Sequence, residues 1–318
     1  MTFFFIRRLI QSIVVFILVT ILVFAAMRIL PGDPIRMLLT SNQQSEITAE
    51  QIDLLRHQFG LDKPLLLQYF DWIGGVIHGD LGKSILDQTA VGREILRRFP
   101  ITLNLGIPAF LLGLILGIPA GIVCAVRRGR FLDTLVTTLS NMGITIPVFW
   151  LGFLLIYFFG LQLKWLPVQG YTPPFENLVL NIRQTIMPII CLAVFPIAST
   201  ARQTRSSMLE IMKQDYIRTA WSKGLKERVV ILRHALKNSL IPVVTLSGMG
   251  LRMIIGGSVI VETVFNIPGM GRLAVQSVFS QDYPYVQGIV LFVAVVVLLA
   301  NLITDVAYSW LDPRIRYS

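Results

Sequence analysis

Residues 215–242 read DYIRTAWSKGLKERVVILRHALKNSLIP, a polar and basic run set between two long apolar ones. Between Arg202 and Lys237, nine bases face the three acids Glu210, Asp215 and Glu227, so this stretch carries +6 of the chain's net +10. The remainder is apolar: 54% of the 318 residues are hydrophobic and 14% charged, against about 25% charged in an average soluble domain. A basic run between apolar segments marks the cytoplasmic side of a membrane protein. The +10 is therefore topology, and nucleic acid is not an expected partner. Within the run, Ser207 and Glu210 have the spacing of a capping box that opens a short helix, and Gly224 can close a helix in the left-handed conformation. Ala220 and Gly224, four apart, present a small, nearly bare stripe where a partner's backbone approaches closely. A second amphipathic run follows with Val229, Val230, Leu232 and Leu236, and Pro242 falls near the first turn of the next apolar segment. Two readings stay open on these grounds: an ordinary positive-inside loop, or a helix–turn–helix built to dock on a partner.

The segment Asp215-Tyr216-Ile217-Arg218-Thr219-Ala220, then Gly224, then Ile241-Pro242 resembles the cytoplasmic "EAA" loop of ABC importer permeases. Asp215 stands where that family usually has Glu, and Trp221 where peptide permeases commonly have Arg. The resemblance implies a coupling helix that fits a groove on an ATP-hydrolysing subunit. Its ATPase-coupling residues would be Asp215, Tyr216, Arg218, Thr219, Ala220, Trp221 and Gly224.

Taken in order, the chain reads as six spans. Arg7-Arg8 precede an apolar run of about 20 residues, longer than the roughly 7–15 of a signal-peptide core and matched to a spanning helix. The first span is 9–30, uncleaved, with its N-terminus inside and Arg28 snorkelling at its outer end. Residues 31–98 form an external segment with seven bases and nine acids. Two helices are expected there, Thr48–Phe59 and Leu65–Ile77, the second with Tyr69, Phe70 and Trp72 as interface aromatics. The second span is 101–126; Gly113, Gly117 and Gly121 repeat every four residues and make a helix-packing stripe, and Arg127, Arg128 and Arg130 stop it inside. The third is 135–161, interrupted at Gly143 and Pro147 by a local unwinding or a proline kink. The fourth is 185–204. The coupling loop 205–240 leads to the fifth span, 241–264, with Gly248, Gly250, Gly256 and Gly257. The sixth, 285–310, carries Asn301 and Asp305 near its inner end, and Asp312, Arg314 and Arg316 return the tail to the cytoplasm. The basic cluster Arg93, Arg97 and Arg98 is taken as interfacial on the outer side.

Chemistry-bearing residues are few. Cys124 and Cys191 sit in separate apolar runs without metal spacing and read as buried small hydrophobes. His57, His78 and His234 are scattered, which speaks against a metal site. Gly82-Lys83-Ser84 looks like the end of a phosphate-binding loop, but Ile77 stands where the motif needs its first glycine, so ATP is not expected to bind this chain by that motif. Arg252 lies about halfway along the fifth span, where an arginine costs about 2.5–3.5 kcal/mol on insertion scales. It either touches an anionic substrate group such as a peptide carboxylate or pairs with an acid, of another subunit or Glu262. Arg252, Ser258 and Glu262 are the substrate-path candidates.

Further strings extend the resemblance. Leu30-Pro31-Gly32-Asp33-Pro34, Phe59-Gly60-Leu61-Asp62-Lys63-Pro64, Gly79-Asp80-Leu81-Gly82-Lys83-Ser84 and Arg98-Phe99-Pro100-Ile101-Thr102-Leu103 are similar to oligopeptide, dipeptide and nickel permeases, as is the run Gly256 to Arg272. They occur in family order along the whole chain, which is identified as a member of the peptide/nickel-type ABC importer permeases, the first of their two permease subunits. The resemblance implies an all-α membrane protein, one type I transmembrane permease domain over 1–318, with both termini cytoplasmic. It implies peptide import, no catalysis and no cofactor in this chain, and ATP and Mg on partner subunits. The implied partners are a second homologous permease, two ATPase subunits, an external solute-binding protein and the bilayer. Nickel-chelate or glutathione import shares the same motifs. A different class, an ion-coupled secondary transporter, would need intramembrane acids on an ion path, for which only Asp305 and Glu262 are placed. A membrane enzyme would need clustered catalytic groups, and none stands out.

Overall fold

The computed structural model describes residues 2–29, 35 and 49–311. Outside the described residues lie the Leu30–Pro34 string, the expected helix start at Thr48, and the tail with Asp312, Arg314 and Arg316. So do the side chains of Ile241, Arg252 and Asp305, and the surroundings of Gly248, Gly256 and Gly257.

Among the described residues the chain is helical, with one isolated antiparallel bridge between Lys83 and Ala90. It divides into two compact units, Met1–Ile101 with Pro268–Leu302, and Thr102–Ile267 with Ile303–Ser318. The single permease domain expected over 1–318 includes both units.

The first unit opens with α1, Thr2–Ile29. Its 28 residues reach about 42 Å at about 1.5 Å per residue, enough for a hydrocarbon core of about 30 Å. Two short helices follow, α2 (Ala49–Gln58) and α3 (Leu65–Ile77). The long α4, Val91–Val126, starts ten residues before the expected span. Its extra turns hold because Glu94 accepts hydrogen bonds from Arg98 Nε at 2.6 Å and Arg97 Nη2 at 3.1 Å, while Val91 and Ile95 are buried against Met270, Leu273, Tyr285 and Ile289. Charge pairing one turn apart thus lets the expected interfacial cluster join the helix.

In the second unit the expected third span is broken in two. Helix α5 (Phe131–Thr145) and helix α6 (Val148–Leu155, continued by a π-helical stretch Ile156–Gln162) meet at 104°. The residue before a proline is pushed out of the helical region, and Ile146 is extended at ψ 126°. The break is a sharp bend, larger than a proline kink. Helix α7, Leu178–Ile211, begins where Asn177 Oδ1 accepts the Leu180 N–H at 3.0 Å and runs through Pro188 and Pro196. It overshoots the expected 185–204 at both ends. Ser207 and Glu210 therefore lie inside a helix and open none, a correction to the expected capping box. Helix α8 is Asp215–Ser222. A short helical turn Glu227–Val229 and a π-helical turn Val230–Ala235 lead into α9, Leu236–Val264, with Pro242 inside it. Helices α10 (Met270–Phe279) and α11 (Tyr283–Leu311) complete the chain.

Four helices among the described residues are long and apolar enough to cross a membrane, or five if the bent pair is counted as one span. Helix α9 has 29 residues, many with undescribed side chains.

Glycine sets the packing in the second unit. A Cβ on Gly113 would lie 2.6 Å from Pro196 Cβ, on Gly117 2.8 Å from Ile197 O, and on Gly121 2.5 Å from Ala201 O. The four-residue stripe of α4 is thus pressed onto α7, the close backbone approach that small residues permit in lipid. Gly143 of α5 also packs on α7, at Val194 and Ala198, and Gly152 of α6 packs on Val264 and Phe265.

Candidate functional site

The basic segment folds as sequence periodicity asks, and it turns Ala220 inward while Gly224 stays open. Helix α8 buries Ile217 and Ala220, one turn apart, in a cluster with Ala125 at the end of α4, Met208 on α7, and Val230, Ile231 and Ala235 before α9. Ala220 is only 6% exposed. The expected stripe is corrected at Ala220, which the chain's own helices crowd, so that it does not share an open face with Gly224. Gly224 lies past the end of α8 with φ +72°, and a Cβ on it would meet nothing within 4 Å. The N–H groups of Lys223 and Gly224 bond Thr219 O and Trp221 O at 3.1 and 2.9 Å, closing the helix.

What α8 presents outward is different. Asp215, Arg218 and Thr219 are exposed. Arg218 Nη1 lies 3.7 Å from Asp215 Oδ1, an exposed pair that is worth little. Thr219 Oγ1 donates to Asp215 O at 3.0 Å. Tyr216 is 42% and Trp221 43% exposed, and Leu225, Val229 and Leu232 are also exposed beyond them. Large apolar side chains open to solvent among bases are the composition of an interface. Tyr216 also holds α8 in place, since its hydroxyl accepts from Asn238 Nδ2 of α9 at 2.8 Å.

Beside this segment sits an ion pair that sequence reading missed. Arg205 of α7 reaches Asp133 of α5 with two donors, Nε to Oδ1 at 2.7 Å and Nη2 to Oδ2 at 2.9 Å. The Gly129 N–H and Thr137 Oγ1 donate to the same carboxylate at 2.9 and 3.3 Å. Two parallel bonds give geometric specificity as well as energy. The available signal was an acid placed three residues after the basic stop 127–130.

Of the substrate-path candidates, Ser258 and Glu262 are fully buried on α9. Thr102 Oγ1 of α4 donates to Glu262 Oε1 at 2.7 Å, which makes Glu262 a polar tie between α4 and α9. Arg252 lies on α9, but its side chain is outside the described residues, so it is not placed near Glu262 or Ser258. A second polar tie in this unit joins Asn181 Nδ2 to Asn104 Oδ1 at 3.3 Å and Thr172 O at 2.7 Å.

In the first unit, Ser84 of the false phosphate-loop string donates to Asp282 Oδ2 at 2.5 Å, and the Ile85 N–H to Oδ1 at 3.3 Å. Ser84 is fully buried, so its task is to fix a loop. Burial pushes the Asp282 carboxyl above its ordinary value, against these donors.

Residues 117–317 match the family described as binding-protein-dependent transport system inner membrane component, and residues 1–106 match that system's N-terminal membrane component. The chain belongs to this permease family. It is 41% identical over 317 residues to a putative peptide transport system permease protein of Brucella abortus, covering 100% of both chains. It is 38% identical to the di/tripeptide transport system permease protein DppB of Pseudomonas aeruginosa and 41% identical to the glutathione transport system permease protein GsiC of Escherichia coli, covering 98% of each chain in both cases. Its fold is similar to the MetNI methionine ABC transporter solved in inward-facing conformations, with a TM-score of 0.55 at 18% identity over 69% of this chain and 96% of that one. This binding-protein-dependent permease is a multi-pass inner-membrane subunit of a bacterial ABC importer, working within a transporter complex.

Proposed function

We propose that the chain is the first of two permease subunits of an ATP-driven importer of di- and oligopeptides. Its partners are a second homologous permease, two ATPase subunits that bind ATP and Mg, and an external solute-binding protein. It performs no catalysis itself and crosses the membrane six times with both termini cytoplasmic. The observation that carries the peptide substrate is identity of 38–41% across the full length of relatives named for peptide, di/tripeptide and glutathione transport. Glutathione is itself a short peptide and falls within this reading. Membership of the permease family removes the ion-coupled secondary transporter.

The coupling role rests on the two faces of α8. Outward, Tyr216 and Trp221 offer aromatic anchors of the kind that dominate interfaces. Inward, Ile217 and Ala220 grip the ends of α4, α7 and α9. A push on α8 therefore moves three membrane helices at once, and Arg205 with Asp133 extends the link to α5. Uptake of labelled di- and tripeptides by proteoliposomes holding the complete complex tests this. Uptake requires ATP inside together with the binding protein outside. Uptake driven by an ion gradient without ATP would refute it.

A further inference from the structure

Helix α3 reads LLLQYFDWIGGVI, and its three sides face different surroundings. One side lies on α1. Gln68 is buried and accepts from Arg28 Nε and Nη2 at 3.1 and 2.9 Å. The Tyr69 and Thr20 hydroxyls are 2.9 Å apart, and Phe24 packs on Tyr69 and Trp72 with ring centroids 5.4 and 6.0 Å apart. A second side is polar: Asp71 accepts from Lys63 Nζ at 2.6 Å, both exposed, with two glycines following. The third side has the positions 66, 70, 73 and 77, spaced as one helical stripe. There Leu66 is 73%, Phe70 62% and Ile77 76% exposed.

Depth decides what covers that stripe. Thr20 lies nine residues inside Ile29, the end of α1's apolar run, which is about 13 Å along the helix. The Tyr69 hydroxyl reaches that level. Helix α3 therefore lies alongside the last turns of α1's apolar run, where Ile21 and Leu22 next to Thr20 are exposed. With 13 residues, α3 is about 20 Å long and cannot span a core of about 30 Å.

We propose that α3 is an interfacial helix embedded in the outer leaflet beside α1, with Leu66, Phe70 and Ile77 in the acyl chains and the Lys63–Asp71 pair at the water surface. A helix lying in the interface buries its apolar face and keeps its charges wet. The bilayer would then hold the external segment against α1. The leaflet rests on the topology given under Proposed function; the embedding does not.

The test uses the complete complex in nanodiscs, with Cys124 and Cys191 replaced by alanine. Single cysteines from Leu66→Cys, Phe70→Cys and His78→Cys carry a small fluorophore. Lipids brominated on the acyl chain should quench Leu66→Cys and Phe70→Cys at least about twofold more than His78→Cys, and aqueous iodide should show the opposite order. Iodide quenching of all three, or protection of positions 66 and 70 from both quenchers by a covering protein, would overturn the proposal. Labelling of His78→Cys in intact cells by an impermeant maleimide tests the leaflet separately. Absence of that labelling alongside lipid quenching would place α3 in the inner leaflet, failing the topology while leaving the embedding standing.

Discussion

The hydroxyl of Tyr216 accepts a hydrogen bond from Asn238 Nδ2 at 2.8 Å, tying the outward helix α8 to the first turn of α9. This bond lies between the surface proposed to receive force and a helix that would move. Tyr216→Phe removes the acceptor and should cost about 0.5–1 kcal/mol, the low end for an exposed bond. Its larger effect should be on coupling. The peptides carried per ATP hydrolysed should fall, and an unchanged ratio in proteoliposomes would speak against the link.

Ala220 is buried in one cluster with Met208, Ile217 and Ala235. Ala220→Leu overpacks this site and should destabilise the permease by about 1–3 kcal/mol. The loss should appear in a thermal melt of the permease without its ATPase partners. Equal melting with wild type would mean that Ala220 faces a partner after all.

Gly117 lets α4 lie against Ile197 and Thr200 of α7. A single methyl is therefore enough to disturb this pair. Gly117→Ala should lower the melting temperature of detergent-solubilised protein, whereas Gly92→Ala, with nothing within 4 Å of its added Cβ, should not.

Arg205 and Asp133 make a bidentate pair in which Asp133 is 5% exposed. Arg205→Met leaves that carboxylate without its charged partner and should cost about 2 kcal/mol or more. Replacing both, Arg205→Met with Asp133→Leu, should be milder than Arg205→Met alone. A double-mutant cycle on thermal stability checks this; strict additivity would show that the two groups do not act together.

Several features were legible in the sequence because they depend on local rules. The positive-inside charge located the segment around α8, the glycine repeat located the face of α4 that meets α7, and Pro147 located the break between α5 and α6. The side on which Ala220 lies was not legible. The i, i+4 rule pairs it with Gly224 only while the helix continues, and Gly224 sits beyond the helix end at positive φ. Ser207 and Glu210 have the spacing of a helix start, but a capping box cannot tell whether the residues before it are already helical. The Asp133–Arg205 pair joins positions 72 apart, and only tertiary packing brings them together. The 104° bend is likewise set by what α5 and α6 pack on.

In the proposed coupling, the ATPase subunits engage the outer side of α8 and its end at Gly224. Co-purification of the whole complex in mild detergent from cells carrying Gly224→Trp tests it most directly, with Gly224→Asn as the control that tolerates the left-handed backbone. Gly224→Asn should retain the ATPase chains and peptide uptake. Gly224→Trp should lose both while the permease still melts as a folded protein. Full recovery of ATPase chains and uptake with Gly224→Trp would contradict it.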